Sequence, residues 1–96
     1  MKMKQKGFLV YELKFHKQVI KFLQNQPLNF RKKVLEQFEI IKNNPFDNNL
    51  DIKELKGMKN FFRLRISKYR FIYKIENNIL LIEIVKAGSR GDIYKG

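Results

Sequence analysis

The chain has 96 residues, of which 44% are hydrophobic and 31% charged, a composition that fits a single folded domain spanning residues 1–96. Its lysines and arginines outnumber its acidic residues by 21 to 9, and the net charge of +12 predicts a polyanionic partner such as nucleic acid. The absence of cysteine excludes disulfides and cysteine-ligated metal sites, one histidine cannot build a histidine-rich site, and no apolar run is long enough to cross a bilayer. We therefore expect a cytoplasmic protein that uses no metal and no cofactor.

The first half of the chain predicts one strand followed by two helices. Residues 8–13 are rich in aromatic and β-branched side chains, which is typical of a short strand. From Phe15 onward, apolar residues recur with helical spacing as far as Pro27, which cannot continue a helix. A second amphipathic segment begins near Leu28 and ends at the Asn-Asn-Pro sequence at 43–45, so the two predicted helices form a hairpin.

The second half of the chain predicts three strands joined by tight turns. Residues 61–66 alternate in polarity, and a two-residue turn at 67–68 leads into a second strand at 69–75. Two asparagines at 77–78 fit a type I′ turn, and the nearly continuous apolar run at 79–87 predicts a strand inside the sheet. The order β-α-α-β-β-β predicts an α+β domain, with an N-terminal helical hairpin packed on one face of a mainly antiparallel sheet.

The predicted turn at 67–68 places Arg65 directly opposite Arg70, with Arg63 on the same face of the sheet, away from the helices. Like charges opposite each other in a sheet are destabilising by roughly 0.2–1 kcal/mol. Two interpretations stay open, namely a preformed clamp for phosphate, which forked guanidinium groups suit, and a solvated basic surface. Glu83 shares this predicted face, where we expect it to orient Arg70.

Five short motifs in the second half of the chain are Leu55-Lys56-Gly57, Phe62-Arg63-Leu64-Arg65-Ile66, Tyr69-Arg70-Phe71-Ile72-Tyr73, Ala87-Gly88-Ser89-Arg90 and Asp92-Ile93-Tyr94. Their order and spacing resemble the RelE/ParE toxin superfamily, and the resemblance extends across the chain. It implies a compact α+β toxin that is held inactive by a cognate antitoxin. RelE-type members bind in the ribosomal A site and cut messenger RNA, whereas ParE-type members poison DNA gyrase.

The resemblance also assigns roles by position. The catalytic residues that it implies are Arg65, Arg70, Arg90 and Tyr94, and it implies that Arg63 binds RNA. Lys53 and Lys56, which precede the predicted sheet, are further RNA-binding candidates from their position in the sequence. A metal-free ribonuclease uses the 2′-hydroxyl of the RNA as nucleophile and needs a base, cations around the phosphate and a proton source. Arg65 and Arg70 would stabilise the transition state. Arg63 and Arg90 would position the phosphate, and Tyr94 would stack on a base or take part in proton transfer.

This sequence differs from a RelE prototype at two of these positions. Arg63 and Arg65 stand where the prototype carries lysine, and arginine holds its proton too tightly to be an easy general base. For Lys53 and Lys56 two interpretations stay open, contact with the RNA backbone and a solvated loop.

Three functions follow as hypotheses. The leading one is a type II toxin that acts as a ribosome-dependent mRNA endonuclease, cutting by 2′-hydroxyl attack without a metal. The alternatives are a ParE-like inhibitor of DNA gyrase without nuclease activity and a non-catalytic RNA-binding module. The expected partners are an acidic or mixed-charge antitoxin, which would order on binding, and the messenger RNA in the ribosomal A site.

Overall fold

The strands form one five-stranded sheet, and two helices cover one of its faces. A computed structural model describes residues 10–45 and 49–89. In chain order the elements are β1 (Glu12–Phe15), α1 (Lys17–Gln24), α2 (Leu28–Asn43), β2 (Ile52–Glu54), β3 (Phe61–Ile66), β4 (Tyr69–Glu76) and β5 (Leu81–Ser89). The strand order is β1-β5-β4-β3-β2, with β1 parallel to β5 and the other neighbouring pairs antiparallel. The predicted α+β architecture, with its helical hairpin on a mainly antiparallel sheet, is confirmed.

Aromatic packing joins the helices to the sheet. Phe38 of α2 is fully buried and makes edge-to-face contacts with Phe15, Phe71 and Tyr73, at ring-centroid distances of 5.7, 5.8 and 5.8 Å. Edge-to-face pairs add about 0.5–1.5 kcal/mol each beyond the burial of their area. Because Phe38 touches β1 and β4, its ring links two strands that are not neighbours in the sheet. We call this side of the sheet the helix-covered face.

The turn between β3 and β4 has the predicted length and fixes the predicted register. Arg65 pairs with Arg70 and Leu64 with Phe71, so alternate residues of both strands point to opposite faces. Ser67 adopts a left-handed backbone with φ of 58°, a conformation that tight hairpin turns require. The arginines therefore lie on the side away from the helices, which we call the arginine face.

The predicted end of the first strand at residue 13 and the predicted start of the first helix at Phe15 are both wrong, because strand pairing overrides the local pattern. Phe15 is the last residue of β1 rather than the start of a helix, since it pairs with Ile84 of β5 and its apolar side chain packs against the core. The next residue also bonds to the sheet, because the His16 N–H donates to the Ile84 carbonyl at 2.9 Å. Helix α1 consequently begins at Lys17. The predicted first strand at 8–13 overlaps β1, and its residues 8 and 9 lie outside the described residues.

The predicted two-residue turn at Asn77-Asn78 is also wrong. Glu76 pairs with Leu81, so four residues connect the strands, and they contain a short 3-10 turn at Asn77–Ile79. The Tyr11 hydroxyl donates to Asn77 Oδ1 at 2.7 Å, which ties this turn to the segment before β1. Adding two residues to the connection keeps the alternation of faces, so Ile82 is still in the core as predicted.

Candidate nucleic-acid interface

Strand register brings three arginines together on the arginine face. Arg63 and Arg65 are alternate residues of β3, and Arg70 on β4 is the ladder partner of Arg65. The Arg65 side chain is 51% exposed, whereas that of Arg63 is only 15% exposed. This juxtaposition of Arg65 and Arg70 was predicted from the sequence and is confirmed. It gives the face a cluster of fixed positive charges with forked hydrogen-bond donors suited to phosphate oxygens.

A carboxylate that the sequence reasoning missed links two of these arginines. Asp51 Oδ1 accepts a hydrogen bond from Arg63 Nη2 at 2.7 Å, and Asp51 Oδ2 accepts one from Arg65 Nε at 2.6 Å. The cause is the unpredicted strand β2, whose register sets Lys53 opposite Arg63 and leaves Asp51 beside Arg65. The alternation of Leu50, Asp51 and Ile52 was the only local signal, and it is shorter than the four or more alternating residues that indicate a strand.

Arg70, like Arg63, is partly buried. Its neighbour on β5 is Gly88, which has no side chain to cover it. Its Nη1 donates to the Lys68 carbonyl at 3.5 Å, which is a long contact. Within the described residues, the Lys68 contact of Arg70 is therefore longer than the bonds of Arg63 and Arg65 to Asp51, at 2.7 and 2.6 Å.

The expectation that Glu83 orients Arg70 is wrong. Glu83 lies on the arginine face as predicted, but its Oε2 is 3.9 Å from Lys14 Nζ and 3.9 Å from His16 Nε2, both on or next to β1. In the ladder Glu83 pairs with Lys74, whereas Arg70 pairs with Gly88 five residues further along β5. Two consequences follow: Glu83 balances charge at the far end of the face, and the arginine end is left with Asp51 as its counter-charge among the described residues.

The two predicted RNA-binding lysines are placed differently. Lys53 is exposed and lies opposite Arg63 across β2 and β3, so it extends the row of cations on the arginine face. Lys56 lies in the loop between these strands, where Gly57 takes a positive φ of 77° to complete the turn. That loop borders an open depression of about 540 Å³ lined by residues 54–59. Lys53 is therefore beside the arginines, and Lys56 is not part of the ladder that carries them.

The other two predicted site residues, Arg90 and Tyr94, lie outside the described residues. The structure does describe the end of β5, where Ser89 pairs with Tyr69, the residue next to Arg70. The last described residue of β5 therefore lies beside the arginine cluster.

Two general features of the described ranges 10–45 and 49–89 bear on the class of site. Within them, no group of three or more histidine, cysteine or acidic side chains is arranged to hold a metal ion. In the same ranges, neither helix is long and apolar enough to cross a membrane.

Comparisons with known proteins place this geometry in a family. The family described as the ParE toxin of type II toxin–antitoxin systems, parDE, matches residues 12–94. A protein of Methanocaldococcus jannaschii named RelE1, a candidate toxin, is 36% identical over 86 residues, which cover 88% of this chain and 96% of that protein.

Solved structures agree with this assignment. The archaeal RelE–RelB complex of Pyrococcus horikoshii superposes with a TM-score of 0.76 at 33% identity, covering 85% of this chain and 97% of that one. The isolated RelE toxin of Escherichia coli superposes with a TM-score of 0.70 at 18% identity, covering 88% and 90%, and at that identity it supports the fold alone. With a family match over most of its length, the chain belongs to the ParE toxin family of type II toxin–antitoxin systems, within the RelE/ParE superfamily.

Proposed function

We propose that this protein is a toxin of RelE type that cuts messenger RNA on the ribosome. The observation that carries the proposal is the Arg65–Arg70 pair, in which two guanidinium groups are held on adjacent strands of an otherwise well-paired sheet. A like-charge pair costs folding free energy, and a polyanionic substrate gives the protein a reason to keep it. The likeness to RelE proteins supports the same function.

In the proposed reaction the RNA's own 2′-hydroxyl attacks the adjacent phosphorus, and the 5′-oxygen of the next nucleotide leaves. The products are a 2′,3′-cyclic phosphate and a 5′-hydroxyl end, so the reaction needs no metal-bound water. Negative charge grows on the phosphate oxygens as the pentavalent state forms, and Arg65 and Arg70 would stabilise it. Arg63 and Arg90 would position the phosphate, with Lys53 on the neighbouring backbone. Tyr94 would stack on a base or take part in proton transfer.

The test is translation of a defined message in a cell-free extract, with RNA ends mapped by primer extension. The expected result is cutting that requires ribosomes and leaves 5′-hydroxyl ends. A message that carries a 2′-O-methyl group at the mapped cut site is the matched control, and it should remain intact at that site because its nucleophile is blocked. An intact unmodified message, beside a working RelE-type positive control, would contradict the proposal. RNA that is bound but never cut would indicate a non-catalytic binding module.

A second candidate, a gyrase inhibitor, is favoured by one specific finding: the matching family model is that of ParE toxins. A ParE-like toxin would act on DNA gyrase and would leave RNA uncut. Incubation with gyrase and supercoiled plasmid would then trap cleaved gyrase–DNA complexes. The same assay with a variant that lacks Arg65 and Arg70 would indicate whether the arginine face takes part.

We also propose that a cognate antitoxin binds this chain. The P. horikoshii neighbour was solved as a RelE–RelB complex, and the +12 charge of this chain favours an acidic or mixed-charge partner. Co-expression with the product of the neighbouring open reading frame should yield a complex that survives purification and blocks RNA cutting. Failure to form any complex would count against the toxin assignment of this locus.

A further inference from the structure

Asp51 makes an unusual set of contacts for an exposed acidic residue. Each of its carboxylate oxygens accepts one short hydrogen bond, from Arg63 Nη2 at 2.7 Å and from Arg65 Nε at 2.6 Å. Its main-chain carbonyl also accepts a hydrogen bond from the Arg65 N–H at 2.9 Å. The backbone bond fixes the position of Asp51 relative to β3. The two side-chain bonds then fix the positions of both guanidinium groups relative to the Asp51 carboxylate.

The contacts with Asp51 leave much of the Arg65 side chain accessible to a ligand. A guanidinium group carries five N–H donors, and Asp51 takes one from each arginine. The Arg65 side chain remains 51% exposed, whereas Arg63 is more deeply set at 15%. Asp51 therefore restrains the two side chains without covering the part of Arg65 that a phosphate would contact.

Charge explains why such a restraint is needed. Arg63, Arg65 and Arg70 lie on adjacent positions of one face, and like charges so close repel one another. Without a carboxylate between them, the long arginine side chains would lower their free energy by moving away from each other into solvent. Placing one negative charge between Arg63 and Arg65 lets both keep a single geometry, and pre-organised donors are the ones that accelerate reactions.

We propose that Asp51 is a positioning residue that holds Arg63 and Arg65 toward one RNA phosphate. The inference rests on the proposed nuclease function and extends it, because it assigns a role to an acidic residue that repels RNA. Removing its charge strengthens electrostatic attraction to RNA and yet slows the cutting step. A residue that only stabilised the fold would not separate these two effects.

Three variants test the inference in the full-length protein. Asp51→Asn removes the charge and one acceptor oxygen, and Asp51→Glu keeps the carboxylate on a longer stem. Glu54→Gln is the matched control, since it changes the net charge equally from a position three residues further along the chain, whose ladder partner is Phe62 rather than an arginine. Thermal melting of each variant establishes that it is folded before activity is compared.

The expected result is a separation of rate from affinity. At saturating ribosomes, Asp51→Asn should cut about tenfold more slowly than wild type, the scale expected when a charge-assisted hydrogen bond is lost. Glu54→Gln should stay within about twofold, and Asp51→Glu should recover part of the lost rate. The protein concentration that gives half-maximal cutting should fall or stay constant in Asp51→Asn and Glu54→Gln, because each variant is more positively charged than wild type. Equal rates for Asp51→Asn and Glu54→Gln would overturn the inference, and so would faster cutting by Asp51→Asn, which would make the carboxylate a competitor of RNA.

A second readout does not depend on cutting. In ¹⁵N-labelled protein the Arg65 Nε–H should exchange slowly with water in wild type and Glu54→Gln, and quickly in Asp51→Asn. Unchanged exchange in Asp51→Asn overturns the inference whatever the activity. If wild-type protein leaves the message intact, the proposed nuclease function fails, and the exchange comparison still decides whether Asp51 holds Arg65. If Asp51→Asn does not fold, Asp51→Glu supplies both measurements, with intermediate rate and exchange expected.

Discussion

Alternate side chains of β3 and β4 enter two very different environments. Leu64, Phe71 and Tyr73 lie on the helix-covered face with no exposed surface, whereas Arg65 and Arg70 lie on the arginine face in contact with water. Burial on the helix-covered face stabilises the fold by about 25 cal/mol per Å² of apolar surface. Repulsion between like charges on the arginine face destabilises it. One sheet thus separates residues that stabilise the fold from the residues to which we assign RNA binding.

The arginine face is itself divided along its length. At the end away from the turn between β3 and β4, Glu83 lies 3.9 Å from Lys14, and Glu76 lies 3.0 Å from Lys74, so these cations are matched by nearby carboxylates. At the opposite end, Asp51 serves two arginines. The excess positive charge therefore lies toward the turn between β3 and β4, where the proposed phosphate site is.

The largest effect is expected from the double variant Arg65→Ala/Arg70→Ala. Removing transition-state donors costs roughly 10²–10³-fold each, so the rate of ribosome-dependent cutting should fall about 10³-fold or more. Its free energy of unfolding should change by less than about 1 kcal/mol, because the exposed Arg65–Asp51 bond and the repulsive arginine pair are lost together and their effects oppose each other. Rate is measured by primer extension on a defined message, and stability by urea denaturation.

The control for this variant is Lys14→Ala/Lys74→Ala, which removes the same charge from the other end of the same face. It should keep most of the activity, since its lysines are already matched by carboxylates. Equal losses in the two double variants would indicate that overall charge, and not the arginine pair, drives the reaction.

The largest change in stability is expected from the opposite face. Phe38→Ala removes a fully buried ring that contacts three other aromatic rings, and should lower the free energy of unfolding by about 3–5 kcal/mol. Leu35→Ala is the matched control on the same helix, because Leu35 is 46% exposed, and it should cost less than about 1 kcal/mol. Similar costs for both variants would mean that the helix-covered face does not hold the fold as described. Denaturant titration followed by circular dichroism distinguishes the cases.

Alternation of side chains made the β3–β4 register predictable, because a shift of one residue would have moved Leu64 and Phe71 into water and Arg65 into the core. The Arg65–Arg70 pair follows from that register alone. Its carboxylate partner did not follow, because β2 has only three residues and carries no strong strand pattern of its own. Its pairing depends on β3 as a template, which is a contact between distant parts of the sequence.

The prediction for Glu83 failed for a related reason. The face of Glu83 was predictable from alternation, whereas its position along the strand depended on the turn before β5. That turn is held by the Tyr11–Asn77 hydrogen bond, which joins residues 66 positions apart. Local sequence therefore specified the faces of the sheet, and distant contacts specified which charges meet on them.

A smaller change in stability is expected from the end of β5. The Gln18 side chain acts as a strand neighbour for Ala87, donating from Nε2 to its carbonyl and accepting from its N–H, both at 2.8 Å. Gln18→Ala should cost about 1–2 kcal/mol, because both backbone groups of a buried residue lose a partner. Gln24→Ala, at an exposed position of the same helix, controls for helix propensity and should change stability by less than about 0.5 kcal/mol. Faster amide exchange at Ala87 in the Gln18 variant alone would localise the effect.

The smallest effect concerns Tyr73, the one ionisable side chain among the described residues that is fully buried in the helix-covered face. Its hydroxyl makes no hydrogen bond within the part of the chain that the structure describes, and burial raises the pKa of the phenol well above its ordinary value. Tyr73→Phe removes a buried polar group that gains nothing from the protein, so the free energy of unfolding at neutral pH should rise by about 1 kcal/mol. Tyr11→Phe is the control and should be destabilising, because the Tyr11 hydroxyl donates to Asn77.

The pH dependence of the Tyr73 variant follows from the direction of the pKa shift. The folded state keeps the Tyr73 proton more tightly than the unfolded state, whose phenol ionises near its ordinary value of about 10. Ionisation of Tyr73 therefore leaves the free energy of unfolding unchanged below that pH and lowers it as pH rises from there through the raised pKa. Urea titrations at increasing alkaline pH should accordingly give a smaller loss of stability in Tyr73→Phe than in wild type. Parallel curves for the two proteins would mean that Tyr73 ionises as freely in the fold as in water, and that the helix-covered face is open to solvent there.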